Sequence, residues 1–444
     1  MSAGKIISEG YKKHVAELQQ HWEKALRAEN YDAALIHAGS KLASFLDDYE
    51  YPFRCNPHFL WWLPLTHHHD SALLVRPGRR PKLFYYQPDD YWHTPPADPE
   101  SWWADEFDVV PVRDADAWKQ AGIDKRTVCI GDSPALAEAV NPTQLNPVRL
   151  LNRIHLERTR KTDYEIACME ESARLGAIAH TAAEQAFREG LSEYDIHQRY
   201  CMSIQMVDAQ LPYGNIVALN EHSAVLHYQT HEQQVPENVR SFLIDAGATV
   251  HAYASDITRT YAAQEGEFAE LIAAMDMMQQ QLCSAVVAGL DYRDLHLRAH
   301  LDIAGILKDF DIIRPSAQDA VASGLSSVFY PHGLGHYLGL QTHDVAGLIA
   351  DVDGTPIPRP EGHPFLRLTR TLEAGNVLTI EPGLYFIEPL LRKWRENGDV
   401  SAINWDRVES LAPYGGIRIE DNMVVTHGAP RSLTREAFSE LSDQ

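Results

Sequence analysis

The sequence is poor in cysteine, and its five cysteines are scattered along 444 residues. No two of them have CxxC spacing, so neither a thiolate metal site nor a disulfide framework is expected. Long apolar runs are also missing: no stretch approaches the roughly 18 apolar residues that a membrane span needs. The first residues lack the continuous apolar core of a secretion signal. These absences predict buried free thiols and a cytoplasmic location.

Positive charge is scarce as well. The chain has 39 basic against 62 acidic residues, a formal net charge of -23. A surface this negative repels phosphate backbones and anionic lipids, so no nucleic-acid or membrane partner is expected. Part of the acidic excess is expected to serve as metal ligands.

The length predicts two domains, because one hydrophobic core rarely grows this large. Residues 1–160 alternate helical segments with short apolar runs and are expected to form an α/β domain. Residues 1–31 read as an amphipathic helix. Beyond the boundary, Thr162 and Glu165 have the spacing of a capping box, so a helix is expected to start there in the second domain, residues 161–444. The predicted strands of the first domain are 33–37, 72–75, 82–86, 109–112 and 128–130.

Acidic residues stand in unusually apolar surroundings in the second domain. Residues 241–261 (SFLIDAGATVHAYASDITRTY) read as two apolar strands, one containing Asp245 and the other Asp256. A carboxylate in each of two neighbouring apolar strands is unfavourable unless a positive charge lies between them.

Three later segments carry similar residues. The glycine-rich stretch PHGLGHYLGL (331–340) presents His332 and His336, and VLTIEPGLYF (377–386) places Glu381 at the end of a hydrophobic strand. GGIRIEDNMVV (415–425) reads as one strand with Arg418 and Glu420 on the same face, so Arg418 is expected to orient Glu420.

Four carboxylates and one imidazole would need two divalent cations for neutrality if they converged. Oxygen-rich ligation with a single imidazole favours Mn(II) over a thiolate-type zinc site. Two such ions can share a bridging hydroxide, a nucleophile at neutral pH. Convergence itself is a hypothesis, because spacing along the chain does not establish it.

These segments resemble the metallopeptidase family with the pita-bread fold, which includes methionine aminopeptidase, aminopeptidase P and prolidase. The DAG(x8)D pair, the HGLGH loop, the TIEPG strand and the GGIRIEDN strand follow the family order. The resemblance implies an α/β N-terminal domain, an α+β pita-bread (creatinase/aminopeptidase-type) catalytic domain and a homodimer. It also implies a dinuclear centre in which Asp256 and Glu420 bridge the ions and Glu381 is also the proton shuttle. The five implied ligands are Asp245, Asp256, His336, Glu381 and Glu420.

Nearly the whole chain resembles the bacterial Xaa-Pro dipeptidase branch, which also includes enzymes that hydrolyse organophosphorus triesters. The resemblance rests on FLDDYEYPF (45–53), NIVALNEHSAVLHY (215–228) and HPFLRLTR (363–370). It implies that His227, in the strand-like VLHY, contacts the scissile amide and that His343 stabilises the oxyanion. Arg370 is the candidate for holding the carboxylate of the substrate's proline. The other residues expected at the substrate are His332, Arg418, Tyr213 and Tyr292.

The expected activity is hydrolysis of dipeptides that end in proline, with a phosphotriesterase side activity. Two alternatives stay open: an aminopeptidase P acting on longer X-Pro peptides, and a metal-free binding relative. The sequence does not fix the metal used in the cell, the residue preferred before proline or the oligomeric state. Thr342 stands where the branch has an aliphatic residue, which leaves the polarity of the pocket open.

Overall fold

The computed structural model describes residues 3–442, and the chain divides into two compact units. The first unit extends to Cys168 and includes His251–Tyr253 and Ala350–Thr355. The second contains Met169–Val250, Ala254–Ile349 and the chain from Pro356 onward. No helix within residues 3–442 combines the length and the apolar character needed to cross a membrane.

The first unit is built on one mixed five-stranded sheet of order β4-β3-β2-β1-β5. The pairs β1–β5 and β3–β4 are parallel, and the other two are antiparallel. All five predicted strands are confirmed, which fits an α/β domain. Its elements are α1 (Ala3–Ala28), β1 (Ala33–His37), α2 (Pro57–Trp62), β2 (Ala72–Val75), β3 (Lys82–Tyr86), α3 (Ser101–Ala104), β4 (Asp108–Val112), β5 (Thr127–Ile130), α4 (Pro134–Ala139) and α5 (Val148–Arg158).

Helix α1 is amphipathic, as its sequence predicts. Val15, Leu18, Trp22 and Leu26 recur at helical spacing, and each is at most 1% exposed. Their burial confirms the apolar stripe and explains why this helix packs in the first unit.

The second unit contains both helices and antiparallel strands, as an α+β domain should. Helix α6 (Asp163–Arg188) crosses the division between the units. Its predicted capping box is present, because Thr162 N–H donates to Glu165 Oε2 at 2.9 Å and Glu165 N–H to Thr162 Oγ1 at 3.4 Å. The remaining elements are α7 (Glu193–Ser203), β6 (Ile216–Leu219), β7 (Ser241–Ala246), β8 (Thr249–Val250), β9 (Tyr253–Ala254), β10 (Ile257–Ala262), α8 (Glu267–Ser284), α9 (Tyr292–Asp309), α10 (Ala317–Ala322), α11 (Ser326–Phe329), β11 (Val377–Ile380), β12 (Gly383–Tyr385), α12 (Glu388–Asn397), α13 (Trp405–Leu411), β13 (Gly416–Arg418), β14 (Asp421–Val424), β15 (Arg431–Ser432) and α14 (Leu433–Ser442).

Three antiparallel groups of strands support the acidic residues: β10-β7-β6, β11-β14-β15 and β12-β13. The prediction of one continuous strand over 415–425 is wrong. The segment is interrupted at Ile419 and Glu420, because β13 pairs with β12 while β14 pairs with β11. The interruption places Glu420 between two strand pairs.

The strand that follows Glu420 begins with a buried ion network. Asp421, fully buried, accepts from Arg259 at 2.7 Å and from Arg435 at 2.6 Å. Gln279 donates to the same carboxylate at 3.0 Å. Burial alone would raise the pKa of Asp421, but the two guanidinium groups outweigh burial and hold that pKa below its ordinary value.

Replacing Asp421 by alanine should lower the free energy of unfolding by about 3–5 kcal/mol, because the guanidinium groups would lose their shared buried partner. Asp276→Ala is the matched control, since Asp276 pairs with Arg435 at a partly exposed position, with a third of its side chain accessible. That change should cost less than about 1 kcal/mol. Urea unfolding measures both, and equal losses would contradict the role assigned to Asp421.

Candidate active site

Five residues from separate segments of the second unit lie together. Asp245 is in β7, Asp256 immediately precedes β10, and Glu381 immediately follows β11. Glu420 lies between β13 and β14, and His336 is in the loop after α11. Asp256, His336 and Glu420 are buried, and one ligand atom of each lies within 4.8 Å of the others.

Backbone pairing brings three of the carboxylates side by side. Thr258 is paired opposite Asp245 across β10 and β7. On its other side, Glu420 N–H donates to the Thr258 carbonyl at 3.0 Å, and the Thr258 hydroxyl donates to Glu420 Oε2 at 2.8 Å. Asp256 is fixed by its N–H, which donates to the side chain of Asn422 at 3.0 Å.

The histidine loop is joined to β11 by main-chain hydrogen bonds. Thr379 N–H donates to the His336 carbonyl at 2.9 Å, and Glu381 N–H donates to the Leu334 carbonyl at 2.8 Å. Gly335 must be glycine, because a Cβ there would collide with the Thr379 carbonyl and the Tyr292 hydroxyl. The close approach sets His336 beside Glu381.

The hydrogen bonds of His336 leave one nitrogen for a ligand. Its Nδ1 lies 2.9 Å from the Tyr337 carbonyl, which requires the proton on Nδ1. Its Nε2 lone pair then faces Asp256 at 3.5 Å and Glu381 at 3.4 Å. An imidazole oriented in this way by a backbone carbonyl is typical of metal ligands.

Asp245 is held by two side chains. Arg418 donates to its Oδ2 at 2.6 Å, and the Tyr213 hydroxyl lies 2.8 Å from its Oδ1. The same hydroxyl is 2.5 Å from Asp256, but its single proton can serve only one carboxylate at a time. Within residues 3–442, Arg418 is the only arginine or lysine that forms an ion pair with one of the four carboxylates.

The carboxylates cannot all be charged without a cation. Burial, followed by repulsion from neighbouring carboxylates, raises the pKa of Asp256 and of Glu420 well above the ordinary range. Burial also raises the pKa of Glu381 to about 8, although Arg418 opposes this. Glu420 Oε1 is buried and has no hydrogen-bonding partner among the described residues. An oxygen-rich, negatively charged donor set with an orphaned oxygen fits divalent metal ions.

The other predicted histidines lie close to this cluster. The His332 ring is 3.9 Å from Glu381 (Nδ1 to Oε2), and its Nε2 contacts the Tyr385 hydroxyl at 2.9 Å. The His343 ring is perpendicular to that of His336, with centroids 4.4 Å apart. His227 is exposed. Burial is the main cause of the lowered pKa of His332 and of His343, and His227 lowers both further. The predicted strand around His227 is wrong, because the segment is a turn after a short 3-10 helix.

Two residues expected at the substrate are placed elsewhere. Tyr292 is fully buried and donates to the Thr379 carbonyl at 2.9 Å, so it supports the His336 loop and does not line an open pocket. Arg370 donates to the Ile349 carbonyl at 2.5 Å and pairs with Glu373 at 3.4 Å. No hydrogen bond or ion pair of Arg370 among the described residues reaches the cluster.

Two side chains near the carboxylate cluster, Arg367 and Tyr385, were not predicted from the sequence. Arg367 is exposed. Burial is the main cause of the shifted pKa values of Glu381, His336 and His343, and the positive charge of Arg367 lowers all three. Arg367 stands three residues before Arg370, and nothing in the order of residues distinguished the two. The Tyr385 hydroxyl lies between His332 and Arg418, 2.8 Å from Arg418. Strand alternation places Tyr385 on the same face as Gly383, which pairs with Arg418, and this alternation was the available signal in the sequence.

Family models cover both parts of the chain. Residues 9–156 match the model described as "Xaa-Pro dipeptidase, N-terminal domain". Residues 167–427 match the model of metallopeptidase family M24.

Known proteins are similar over almost the full length. The Xaa-Pro dipeptidase of Stenotrophomonas maltophilia is 48% identical over 431 residues, 97% of each chain. The Xaa-Pro dipeptidase of Pseudoalteromonas atlantica is 45% identical over 436 residues, 97% of this chain and 98% of that protein.

Solved structures show the fold. Escherichia coli aminopeptidase P with the inhibitor Pro-Leu has a TM-score of 0.71 at 22% identity, covering 96% of this chain and 99% of that one. Proline aminopeptidase P II from Yersinia pestis has a TM-score of 0.70 at 22% identity, covering 100% of both chains. At this identity the likeness establishes the fold alone, and the expected pita-bread architecture is confirmed.

Chelator-treated protein should become less stable as the pH rises toward about 8. Folding raises the pKa of Glu381 from its ordinary 4.5 to about 8, so the metal-free folded protein holds a proton that the unfolded chain has released. That contribution is complete below 4.5 and is lost as the pH rises through 8, with a slope of about 1.4 kcal/mol per pH unit. Urea unfolding at a series of pH values measures it.

Glu381→Gln is the control, because an amide does not titrate. The metal-free variant should show a shallower decline than the metal-free parent. The same pH dependence in both proteins would contradict the assigned pKa.

Proposed function

The chain belongs to metallopeptidase family M24 and is a metal-dependent peptidase, and on that premise we propose that its substrates are dipeptides with proline in second position. The observation that carries the proposal is the buried group of Asp256, His336 and Glu420 with the half-buried Asp245 and Glu381 around it, in a chain 48% identical to an Xaa-Pro dipeptidase along 97% of its length. The solved aminopeptidase P structures share its fold, but a likeness at 22% identity does not distinguish a dipeptide substrate from a longer X-Pro peptide.

We propose that Asp245, Asp256, His336, Glu381 and Glu420 hold two divalent ions, most suitably Mn(II). Two doubly charged ions balance four carboxylates, and a single imidazole among oxygen donors suits a hard cation. Asp256 and Glu420 would be held most strongly to the ions, because both are buried and repel each other in the absence of metal. When bound, the ions would polarise the substrate carbonyl and make a water molecule nucleophilic at neutral pH.

Glu381 is the proposed proton carrier. Burial keeps its affinity for protons high, and its Oε2 lies 3.9 Å from His332, at the margin of the cluster. A carboxylate there can accept a proton from the attacking water and donate it to the departing proline nitrogen. An X-Pro bond has no N–H, so recognition must use other parts of the substrate.

Two histidines are proposed to contact the reacting amide. His343 stands next to His336 and is assigned to the developing oxyanion. His227 is exposed and, after burial, contributes to the lowered pKa of His332 and of His343, and it is assigned to the scissile amide. Arg418 positions Asp245 through its 2.6 Å hydrogen bond, and Tyr213 positions the same carboxylate from the other side.

Recognition of the free carboxylate of proline is assigned to Arg367. Its guanidinium is exposed and lowers the pKa of Glu381 and of His343, against the raising and with the lowering effect of burial respectively. The terminal nitrogens of Arg370, in contrast, bind the Ile349 carbonyl and Glu373. A charge-assisted pair with Arg367 would favour dipeptides over longer chains, in which that carboxylate is absent. Homodimer formation, a cytoplasmic location and the phosphotriesterase side activity stay predictions.

Kinetics on Ala-Pro and Ala-Pro-Ala-Ala test the substrate class. The Mn(II)-loaded enzyme should turn over Ala-Pro with a kcat/KM at least about tenfold higher, equivalent to about 1.4 kcal/mol of discrimination. Equal or faster turnover of the tetrapeptide would favour an aminopeptidase P.

Substitution of Arg367 tests the carboxylate contact. Arg367→Met should lower kcat/KM for Ala-Pro about 10- to 100-fold, since a hydrogen bond to a charged group contributes about 1.5–3 kcal/mol. It should have little effect on Ala-prolinamide, which lacks the carboxylate. Arg370→Met is the matched control, and a larger loss on Ala-Pro from that change would return the role to Arg370.

A further inference from the structure

Three histidines lie together outside the carboxylate cluster. His296 and His300 are one turn apart on α9, and His363 comes from the segment before β11. One ring nitrogen of each lies within 4.8 Å of the others. Two histidines at positions i and i+4 project from one face of a helix, which is a common arrangement for binding a metal ion.

The ring nitrogens are arranged for a shared ligand. His296 Nε2 and His363 Nδ1 are 3.0 Å apart, so in the absence of an ion one of them must donate a proton to the other. His300 Nδ1 contacts the Ser326 hydroxyl at 3.0 Å. A proton on that Nδ1 leaves a lone pair on Nε2, which is buried and has no partner among the described residues.

The surroundings keep these imidazoles neutral. Burial, reinforced by the neighbouring rings, lowers the pKa of His296 to about 3 and that of His300 to about 2. Neutral imidazole is the form that binds metals, so ligation at pH 7 requires no loss of a proton.

A cavity adjoins the group. The three histidines line a cavity of about 370 Å³. No aspartate or glutamate within residues 3–442 lines this cavity, and Lys393 does. A bound cation would therefore be neutralised by a solvent anion or hydroxide and not by the protein.

We propose that His296, His300 and His363 form a separate metal site that binds zinc(II) through three imidazoles. Its fourth position is open to the cavity and takes water or a small anion. Three nitrogen donors without a carboxylate favour Zn(II) over Mn(II), the reverse of the preference at the carboxylate cluster. His332 of the candidate active site also lines this cavity, but none of the three proposed ligands has a role in the proposed peptidase function.

Metal counting and anomalous diffraction test the proposal. Chelator-treated wild type, His300→Ala, His363→Ala and the control His67→Ala, which removes an exposed imidazole, are equilibrated with Zn(II) and their zinc content is measured. Both cavity variants should bind one ion fewer per chain than wild type, and the control should match wild type. Crystals of the wild-type protein soaked in Zn(II) should give an anomalous peak between the three imidazoles, and crystals soaked in Mn(II) should not.

Equal zinc content in wild type and both folded variants would overturn the proposal, and so would the absence of the zinc peak. Should His300→Ala fail to fold, the half-buried His363 supplies the variant, and the diffraction experiment needs none. A manganese peak of equal height at this position would contradict the zinc preference.

Discussion

Mutual repulsion among buried carboxylates is the constraint on which the catalytic unit depends. Asp256 and Glu420 are at most 5% exposed. Asp245 shares the Tyr213 hydroxyl with Asp256, and Glu381 shares His336 Nε2 with Asp256. One guanidinium, from Arg418, and one hydroxyl, from Tyr213, offset only part of the negative charge. Such a group is tolerable when its carboxylates are protonated or when cations bind to them. Only the cation-bound state has the positive charge that activates water for hydrolysis at neutral pH.

The surrounding fold keeps this unfavourable group in place. Thr258 joins Asp245 to Glu420 through strand pairing, and Gly335 permits the contact that brings His336 to β11. The buried network around Asp421 neutralises its own charge with Arg259 and Arg435, so this carboxylate does not add to the repulsion next to Glu420. Neighbouring acidic residues thus have different roles, since Glu420 is a proposed metal ligand and Asp421 is a structural anchor.

The sequence predicted the elements that depend on local pattern. The first-unit strands, the stripe of α1 and the Thr162 capping box follow from period and spacing, and they are confirmed. The break at Glu420 was missed because the strand-like alternation of side chains continues through it in the sequence. The break arises because the segment changes its pairing partner from β12 to β11, which only the fold determines. Arg367 was missed for a similar reason, since only the fold decides which of two nearby arginines faces the cluster. His296 and His300 had helical spacing, but His363 is distant in sequence.

Equilibrium dialysis of chelator-treated protein against Mn(II) tests the central claim most directly. Wild type should bind two ions per chain at the carboxylate cluster, and Asp256→Asn and Glu420→Gln should each bind at least one fewer. Binding of fewer than one ion by wild type, or unchanged binding by both variants, would contradict it.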